Sequence, residues 1–279
     1  MSNLVIFHAD CADGFGAAYA AWLKLGGAAE YVRGVYGKPP PDVAGKDVYL
    51  LDFSYKKDVM AEIIAQANSV TVLDHHESAA QMLDDLFHAG LIKGRYSVDE
   101  SGAVLAWDWF HPGQEIPILL QYIQDRDLWR HEMEDSRAVH AFLMSWPMEF
   151  TVWHELVVAA EDFGGLLTMR QQGAAIERKM RMDVTKTVKQ TARSMKIGGY
   201  DVPVANLPTL MASDGAGLLA EGKPFAASYF DAEHGRVFSL RSRGEDGIDV
   251  SQIAVSYGGG GHVHAAGFTV PLGWEGDQA

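Results

Sequence analysis

The chain has 279 residues, of which 48% are hydrophobic and 22% charged, and its formal net charge is −14. This composition excludes a wholly disordered chain, and we expect no membrane-spanning helix because no apolar run reaches ~18–20 residues. A single cysteine excludes an internal disulfide, so we expect a reducing, cytoplasmic compartment. The acidic balance disfavours binding to long nucleic acid, where a basic surface dominates affinity.

Segments typical of strands and helices alternate in the first half of the chain. The apolar runs LVIF, VYLL and SVTVL predict buried strands, and EYVRGVYG predicts a further strand. Alanine-rich or amphipathic segments separate them, including one that ends at Gly26 and Gly27. Such alternation is typical of a parallel sheet covered by helices. We therefore predict an α/β fold with a parallel-sheet domain.

The pattern changes in the second half. The spacing predicts helix throughout residues 151–195, then a break at Gly198 and Gly199, then short alternating strands. We predict a parallel-sheet domain over residues 1–165, a helical linker over 166–196 and a smaller α/β domain over 197–279. Eight basic and two acidic residues lie between Arg170 and Lys196. This stretch of net charge +6 is either a solvated helix face or a wall of a substrate cleft.

Polar residues follow three of the predicted strands. The segments are HADCADG, LLDFS and LDHH, and QDRD follows a predicted helix. Because ligands of open α/β sheets bind at the carboxyl ends of the strands, we expect these side chains to converge. Carboxylates and imidazoles suit ions such as Mn²⁺ or Mg²⁺. The alternative is that the aspartates only cap helices. Cys11 is either a further ligand, a reactive thiol or a neutral neighbour of the ligands.

The segment GGGGHVHAAG near the end of the chain predicts a loop that brings backbone N–H groups close to an anion, with AAG opening a helix. His262 is a candidate phosphate contact, and His264 is expected to be structural. Arg241 and Arg243 share one face of a predicted strand. They are either contacts for an anion or ordinary surface charges. The alternative interpretation of the four consecutive glycines is that they form a flexible linker.

In this order, HADCADG, LLDFS, LDHH, QDRD and GGGGHVHAAG resemble the motifs of the DHH phosphoesterase superfamily, and the last resembles its DHHA1 subfamily, which includes RecJ exonucleases and nanoRNases. The resemblance implies a catalytic DHH domain, a smaller substrate-binding DHHA1 domain and two Mn²⁺ ions, with Mg²⁺ as the alternative. It implies the metal ligands His8, Asp10, Asp13, Asp52, His75 and Asp125, of which Asp52 would bridge the two ions. It also implies that Asp52 and His76 are catalytic. It implies the substrate contacts His76, Arg241, Gly260, Gly261 and His262.

The first motif departs from the family pattern. Two residues separate Asp10 from Asp13 where many members have one, so Cys11 occupies the register of the usual first aspartate. Either Asp10 reaches the metal through a bulged turn, or Cys11 or water takes its place. Asp127 competes with Asp125 for the role of ligand in the QDRD motif.

The resemblance implies hydrolysis by a hydroxide that two metal ions activate. We expect the substrate to be a short single-stranded oligonucleotide. The alternatives are a small nucleotide such as adenosine bisphosphate, a cyclic dinucleotide or polyphosphate, or an inactive nucleotide-binding module. No membrane or long-duplex partner is expected, and homodimerisation is left open.

Overall fold

The computed structural model describes residues 2–243 and 247–277. The chain divides into two compact units, Met1–Glu177 and Arg178–Ala279. The division falls inside the predicted linker, and the predicted domain limits stay a prediction. Within the described part of the chain, no helix is both long enough and apolar enough to cross a membrane.

The first unit contains a five-stranded parallel sheet, which confirms the predicted α/β class. Its order is β2-β1-β3-β4-β5. The strands are β1 (Asn3–His8), β2 (Ala29–Gly34), β3 (Asp47–Leu51), β4 (Ser69–Asp74) and β5 (Lys93–Tyr96). Because β1, β3 and β4 are parallel neighbours, their carboxyl ends meet at one edge of the sheet.

Helices connect and follow these strands. They are α1 (Ala12–Leu25), α2 (Lys57–Gln66), α3 (Ala80–His88), α4 (Gly102–Phe110), α5 (Ile118–Asp127), α6 (Ser136–Leu143), α7 (Phe150–Ala160) and α8 (Phe163–Thr191). Strand alternation divides the core between the two faces of the sheet. On β1, Val5 and Phe7 pack into the cluster that contains α1, whereas Leu4 and Ile6 pack into the cluster that contains α2.

The second unit contains a six-stranded mixed sheet of order β10-β11-β9-β8-β7-β6. Only the β7–β8 pair is parallel among the described strands of this sheet. The strands are β6 (Arg193–Ile197), β7 (Tyr200–Asn206), β8 (Ala226–Ala232), β9 (Gly235–Arg241), β10 (Gly260–His262) and β11 (Ala265–Val270). The helices are α9 (Thr209–Leu219) and α10 (Val250–Ser256). A separate core of aliphatic and aromatic side chains lies within this unit.

The prediction of one continuous helix over residues 151–195 is wrong. Helix α7 ends at Ala160 and α8 begins at Phe163. The Asp162 carboxylate accepts hydrogen bonds from the backbone N–H groups of Gly164 (2.8 Å) and Gly165 (3.2 Å), which starts a new helix there. Helix α8 ends at Thr191, and β6 begins two residues later.

The prediction of a glycine-rich loop followed by a helix is also wrong. Residues Gly260–His262 and Ala265–Val270 form an antiparallel hairpin, so AAG begins a strand. A Cβ on Gly259 would lie 2.0 Å from the Gly267 carbonyl oxygen, and Gly261 has a φ of +140°. The glycines therefore allow a close approach of strands rather than a mobile linker.

Candidate metal centre

Five elements of the first unit bring their polar residues to the carboxyl edge of the parallel sheet. His8 ends β1, Asp52 follows β3 directly, and His75 follows β4 directly. Asp13 lies in the first turn of α1, and Asp127 ends α5. The expected convergence of these strand ends therefore occurs within one unit.

Asp52 lies at the centre of the cluster and is 1% exposed. Its backbone has a left-handed φ of +53°, which redirects the chain directly after the strand. Its Oδ1 lies 3.1 Å from His75 Nε2 and 3.8 Å from His76 Nδ1, and its Oδ2 lies 3.4 Å from His8 Nδ1. Burial raises the pKa of Asp52, but the hydrogen bonds from His75 and His8 outweigh it and hold this pKa well below its usual range.

Asp13 is held by the start of another helix. Its carboxylate accepts hydrogen bonds from the backbone N–H groups of Gly102 (2.6 Å) and Ala103 (2.9 Å) in the first turn of α4. The helix N-terminus therefore orients and stabilises this carboxylate. Gly102 is required here, because a Cβ would lie 2.4 Å from the Asp52 Cβ.

His75 lies among three carboxylates. Its Nε2 is 3.1 Å from Asp52 Oδ1, 3.5 Å from Asp127 Oδ2 and 3.6 Å from Asp13 Oδ2. Burial lowers the pKa of His75, but the hydrogen bond to Asp52 and the charges of Asp127 and Asp13 outweigh it and raise this pKa to about 10. Burial and the charge of Asp52 raise the pKa values of Asp13 and Asp127. The site thus has an excess of buried negative charge, which a divalent cation would neutralise.

His76 is oriented by Asp74, the last residue of β4. The Asp74 Oδ1 lies 2.7 Å from His76 Nδ1 and also accepts the backbone N–H groups of His75 (2.8 Å) and His76 (3.2 Å). This pairing places a proton on Nδ1. Nε2 of the neutral ring would suit a metal ion, whereas the imidazolium form has an Nε2–H that can donate to a phosphoryl oxygen. Burial lowers the pKa of His76, but Asp74 outweighs it, so the pKa is raised.

Two candidate metal-binding groups share one carboxylate. His8, Asp52 and His76 offer ligand atoms within 4.8 Å of one another, and so do Asp13, Asp52 and His75. Carboxylate oxygens and imidazole nitrogens are suitable ligands for Mn²⁺ and Mg²⁺. Two ions of a two-metal site lie about 3.5–4 Å apart, and the two oxygens of one carboxylate can serve both. These residues would fit two divalent cations, and Asp52 would be a ligand in both groups.

The structure does not bring Asp10 into this cluster. Asp10 has a left-handed φ of +56°, its side chain is 80% exposed, and its Oδ1 pairs with Arg33 at 3.2 Å. Cys11 lies on the inner side instead, with its Sγ 3.3 Å from Asp52 Oδ2 and 3.6 Å from His8 Nδ1. Burial raises the pKa of Cys11, and the charges of Asp52 and Asp13 raise it further.

The QDRD motif contributes Asp127 rather than Asp125. The Asp125 Oδ1 accepts the backbone N–H groups of Glu132 (2.8 Å) and Met133 (3.3 Å), so this side chain fixes the segment that follows α5. Asp127 approaches His75, as described above. Residues two apart on a helix point in different directions, and only one of the two reaches the centre.

The predicted substrate contacts Arg241, Gly260, Gly261 and His262 lie in the second unit. Both Arg241 and His262 are paired with Ala265 of β11, so the register places them on one face of the sheet with a small residue between them. The Arg241 guanidinium donates to Ser213 Oγ at 3.2 Å and to the Leu240 carbonyl at 2.7 Å. Their role in binding substrate stays a prediction.

One aromatic residue at the centre was not predicted. Tyr36 follows β2, is 53% exposed, and packs with ring-centroid distances of 4.7 Å to Phe53, 5.3 Å to His8 and 6.1 Å to His76. The predicted strand EYVRGVYG contained Tyr36, whereas the observed strand ends at Gly34 and leaves Tyr36 beyond it. A partly exposed aromatic ring beside a metal site is a surface on which a nucleobase can stack.

Comparison with solved structures decides the fold. The DHH domain of a protein described as belonging to a family of ribosomal proteins superposes with a TM-score of 0.58 and 11% identity, covering 96% of this chain and 82% of that one. The chain has the DHH fold. The resemblance of the sequence motifs to this superfamily is therefore confirmed at the level of the fold.

Other comparisons are weaker or less informative. An uncharacterized protein of Acanthamoeba polyphaga mimivirus is 28% identical over 95% of this chain and 66% of that protein, so this DHH-fold chain spans about two thirds of its relative. A pGpG-specific phosphodiesterase from Vibrio cholerae superposes with a TM-score of 0.49 and 12% identity, covering 98% of this chain and 94% of that one. No protein-family model matches the chain.

Proposed function

We propose that this protein is a divalent-metal-dependent phosphoesterase that hydrolyses phosphodiester bonds of short single-stranded oligonucleotides. The observation that carries this proposal is the pair of candidate metal groups that share Asp52 at the carboxyl edge of the DHH-fold sheet. Mn²⁺ is the proposed ion because the donors are carboxylate oxygens and imidazole nitrogens.

When bound, two such cations supply an activated water and neutralise phosphoryl oxygens. The protein itself contributes fixed ligand geometry. The N-terminus of α4 holds Asp13, and Asp74 holds the ring of His76. We assign His76 to a phosphoryl oxygen of the substrate. In the imidazolium form, which Asp74 favours by raising the pKa of His76, Nε2–H would donate to that oxygen. Such fixed donors stabilise developing charge without reorganising during the reaction.

Two features favour a short nucleotide substrate over polyphosphate. Tyr36 offers a stacking surface next to His8 and His76. A nucleobase can stack on this ring, whereas polyphosphate has no ring that could do so. The net charge of −14 disfavours long nucleic acid, whose binding depends on many phosphate contacts. The pair of Arg241 and His262 on one sheet face in the second unit is our proposed contact for a substrate phosphate.

A matched pair of substitutions tests the metal centre. Asp10 and Asp52 have left-handed φ values of +56° and +53°, but only Asp52 lies in the cluster. Asparagine tolerates this backbone conformation, so Asp10→Asn and Asp52→Asn perturb the backbone alike. We expect Asp52→Asn to lose activity by orders of magnitude and Asp10→Asn to stay near wild type. Equal activities of the two variants would contradict the proposal.

The substrate is tested with a panel in the presence of Mn²⁺, with and without chelator. The panel contains a 5′-labelled RNA dinucleotide and pentanucleotide, a cyclic dinucleotide, adenosine bisphosphate and polyphosphate. Chelator-sensitive release of mononucleotides from the short RNAs supports the proposal. Hydrolysis of the cyclic dinucleotide, the bisphosphate or polyphosphate alone would reassign the substrate, and no hydrolysis with fewer than two bound ions would indicate a binding module.

A further inference from the structure

We propose that Cys11 is a metal ligand, so that one side of the centre has a sulfur, nitrogen and oxygen donor set suited to thiophilic divalent ions such as Co²⁺ or Zn²⁺. The inference rests on the metal centre of the proposed function. It concerns which atoms hold the ion, and its test does not depend on hydrolysis.

The three donors on this side form a compact triangle. Cys11 Sγ lies 3.3 Å from Asp52 Oδ2 and 3.6 Å from His8 Nδ1, and His8 Nδ1 lies 3.4 Å from Asp52 Oδ2. Metal–sulfur bonds of about 2.3 Å and metal–nitrogen or metal–oxygen bonds of about 2.0–2.1 Å give tetrahedral ligand–ligand distances of roughly 3.3–3.6 Å. The observed spacing therefore matches the spacing expected for three ligands of one ion.

The backbone holds the sulfur in this position. Cys11 is the N-cap of α1, and its Sγ accepts the backbone N–H of Gly14 at 3.1 Å. This contact fixes the sulfur on the side that faces Asp52 and His8. A bound cation would convert the thiol to the thiolate, which is the form that binds metals. On binding, the S–H bond breaks, a sulfur–metal bond forms, and the proton leaves to solvent.

The residue beside Cys11 does not compete for this position. The side chain of Asp10 is 80% exposed and pairs with Arg33. An N-cap role alone does not require sulfur, because serine is among the preferred N-cap residues and alanine is not. Cys11→Ser therefore retains a capping oxygen while it removes the soft donor. Asp10→Asn, which keeps the left-handed backbone of the neighbouring position, is the matched control.

The experiment is a Co²⁺ titration of the metal-free full chain, followed by absorbance. Cys11 is the only cysteine of the chain, so any thiolate-to-cobalt charge-transfer band in the near ultraviolet belongs to it. We expect a band that saturates in wild type and in Asp10→Asn and is absent in Cys11→Ser. We also expect Cys11→Ser to lose more affinity for Co²⁺ than for Mg²⁺, since Mg²⁺ has little use for sulfur.

Cobalt binding without a charge-transfer band in wild type would overturn the inference, as would an unchanged band in Cys11→Ser. If Cys11→Ser does not fold, the rate at which iodoacetamide alkylates the wild-type thiol decides, since a ligating sulfur is protected by Co²⁺ and a merely capping one is not. Hydrolysis with Co²⁺ but no band would leave the proposed function standing and reject Cys11 as a ligand. A band without hydrolysis of any substrate would do the reverse. No binding of Co²⁺ would reject Cys11 as a ligand, and the proposed function would then be decided by hydrolysis with Mn²⁺.

Discussion

Asp125 and Asp127 are two residues apart at the end of α5, and the structure assigns them different tasks. Asp125 Oδ1 accepts two backbone N–H groups of the following segment, whereas Asp127 Oδ2 lies 3.5 Å from His75 Nε2. Substitution of each aspartate should therefore affect a different property. Loss of Asp125 should destabilise the fold, and loss of Asp127 should weaken metal binding.

The expected cost of Asp125→Ala follows from its hydrogen bonds. Leaving a buried donor without its acceptor costs about 1–3 kcal/mol, so two partly buried N–H groups give roughly 2–4 kcal/mol. For a domain of this size, each kcal/mol lowers the melting temperature by roughly 2–4 °C, and we expect a decrease of about 5–15 °C. Asp125→Asn retains the Oδ1 acceptor and should lose less stability than Asp125→Ala.

Asp127→Asn should behave in the opposite way. Burial and the neighbouring Asp52 raise the pKa of Asp127, so neutralising this side chain relieves repulsion in the metal-free protein. The melting temperature of the metal-free variant should stay close to that of wild type. Its affinity for Mn²⁺ should fall by at least about 10–100-fold, which is the typical cost of losing even an outer-shell partner.

Thermal unfolding of the metal-free proteins and calorimetric titration with Mn²⁺ measure the two properties separately. The reasoning is refuted if Asp127→Asn binds Mn²⁺ like wild type, or if Asp125→Asn loses Mn²⁺ binding without loss of stability. Either result would return the ligand role to Asp125.

Three further predictions concern residues around the centre. Gly102→Ala should cost about 1–3 kcal/mol of stability and weaken Mn²⁺ binding, because its Cβ would lie 2.4 Å from Asp52 Cβ and 2.9 Å from Asp13 Oδ2; unchanged melting and binding would contradict this packing. Burial, Arg126 and His131 lower the pKa of His140 from 6.5 to about 3. The folded protein therefore holds this ring neutral, and its contribution to stability is fully present above pH ~6.5. The contribution is lost as pH falls from about 6.5 towards 3, because the unfolded chain binds the proton first. Urea unfolding at pH 7 and pH 4.5 should show a smaller loss of stability for His140→Gln than for wild type, and equal losses would exclude the effect. Tyr36→Ala should raise the KM for an RNA dinucleotide by about tenfold, given that stacking contributes ~1–3 kcal/mol per base, whereas Tyr36→Phe should not; a change in kcat alone would argue against stacking.

The central strands β1, β3 and β4 could be predicted from the sequence because most of their residues are buried. Such strands appear as short apolar runs, and the polar residue that ends each run marks the sheet edge. The strand β5 has the sequence KGRY and escaped prediction because it is a polar strand at the edge of the sheet. The helix α7 was merged with α8, since the break depends on a side-chain cap by Asp162 rather than on composition.

The details of the site depend on geometry that spacing does not encode. The left-handed φ of Asp10 turns its side chain outward and leaves Cys11 inside, which the order of residues in the motif does not reveal. The choice between Asp125 and Asp127 depends on the rotation of α5 about its axis. The glycine-rich segment forms a hairpin because its strands approach closely, and this is a tertiary effect that overrides the local preference for a loop.

The central claim is that divalent cations bound at the Asp52 cluster are required for hydrolysis of a phosphodiester. The most direct measurement is mononucleotide release from a 5′-labelled RNA dinucleotide by protein that has been treated with chelator, dialysed and then titrated with Mn²⁺. We predict no release without metal and a rise that saturates when two ions are bound per chain. Release that persists in chelator, or full release by Asp52→Asn, would contradict the account.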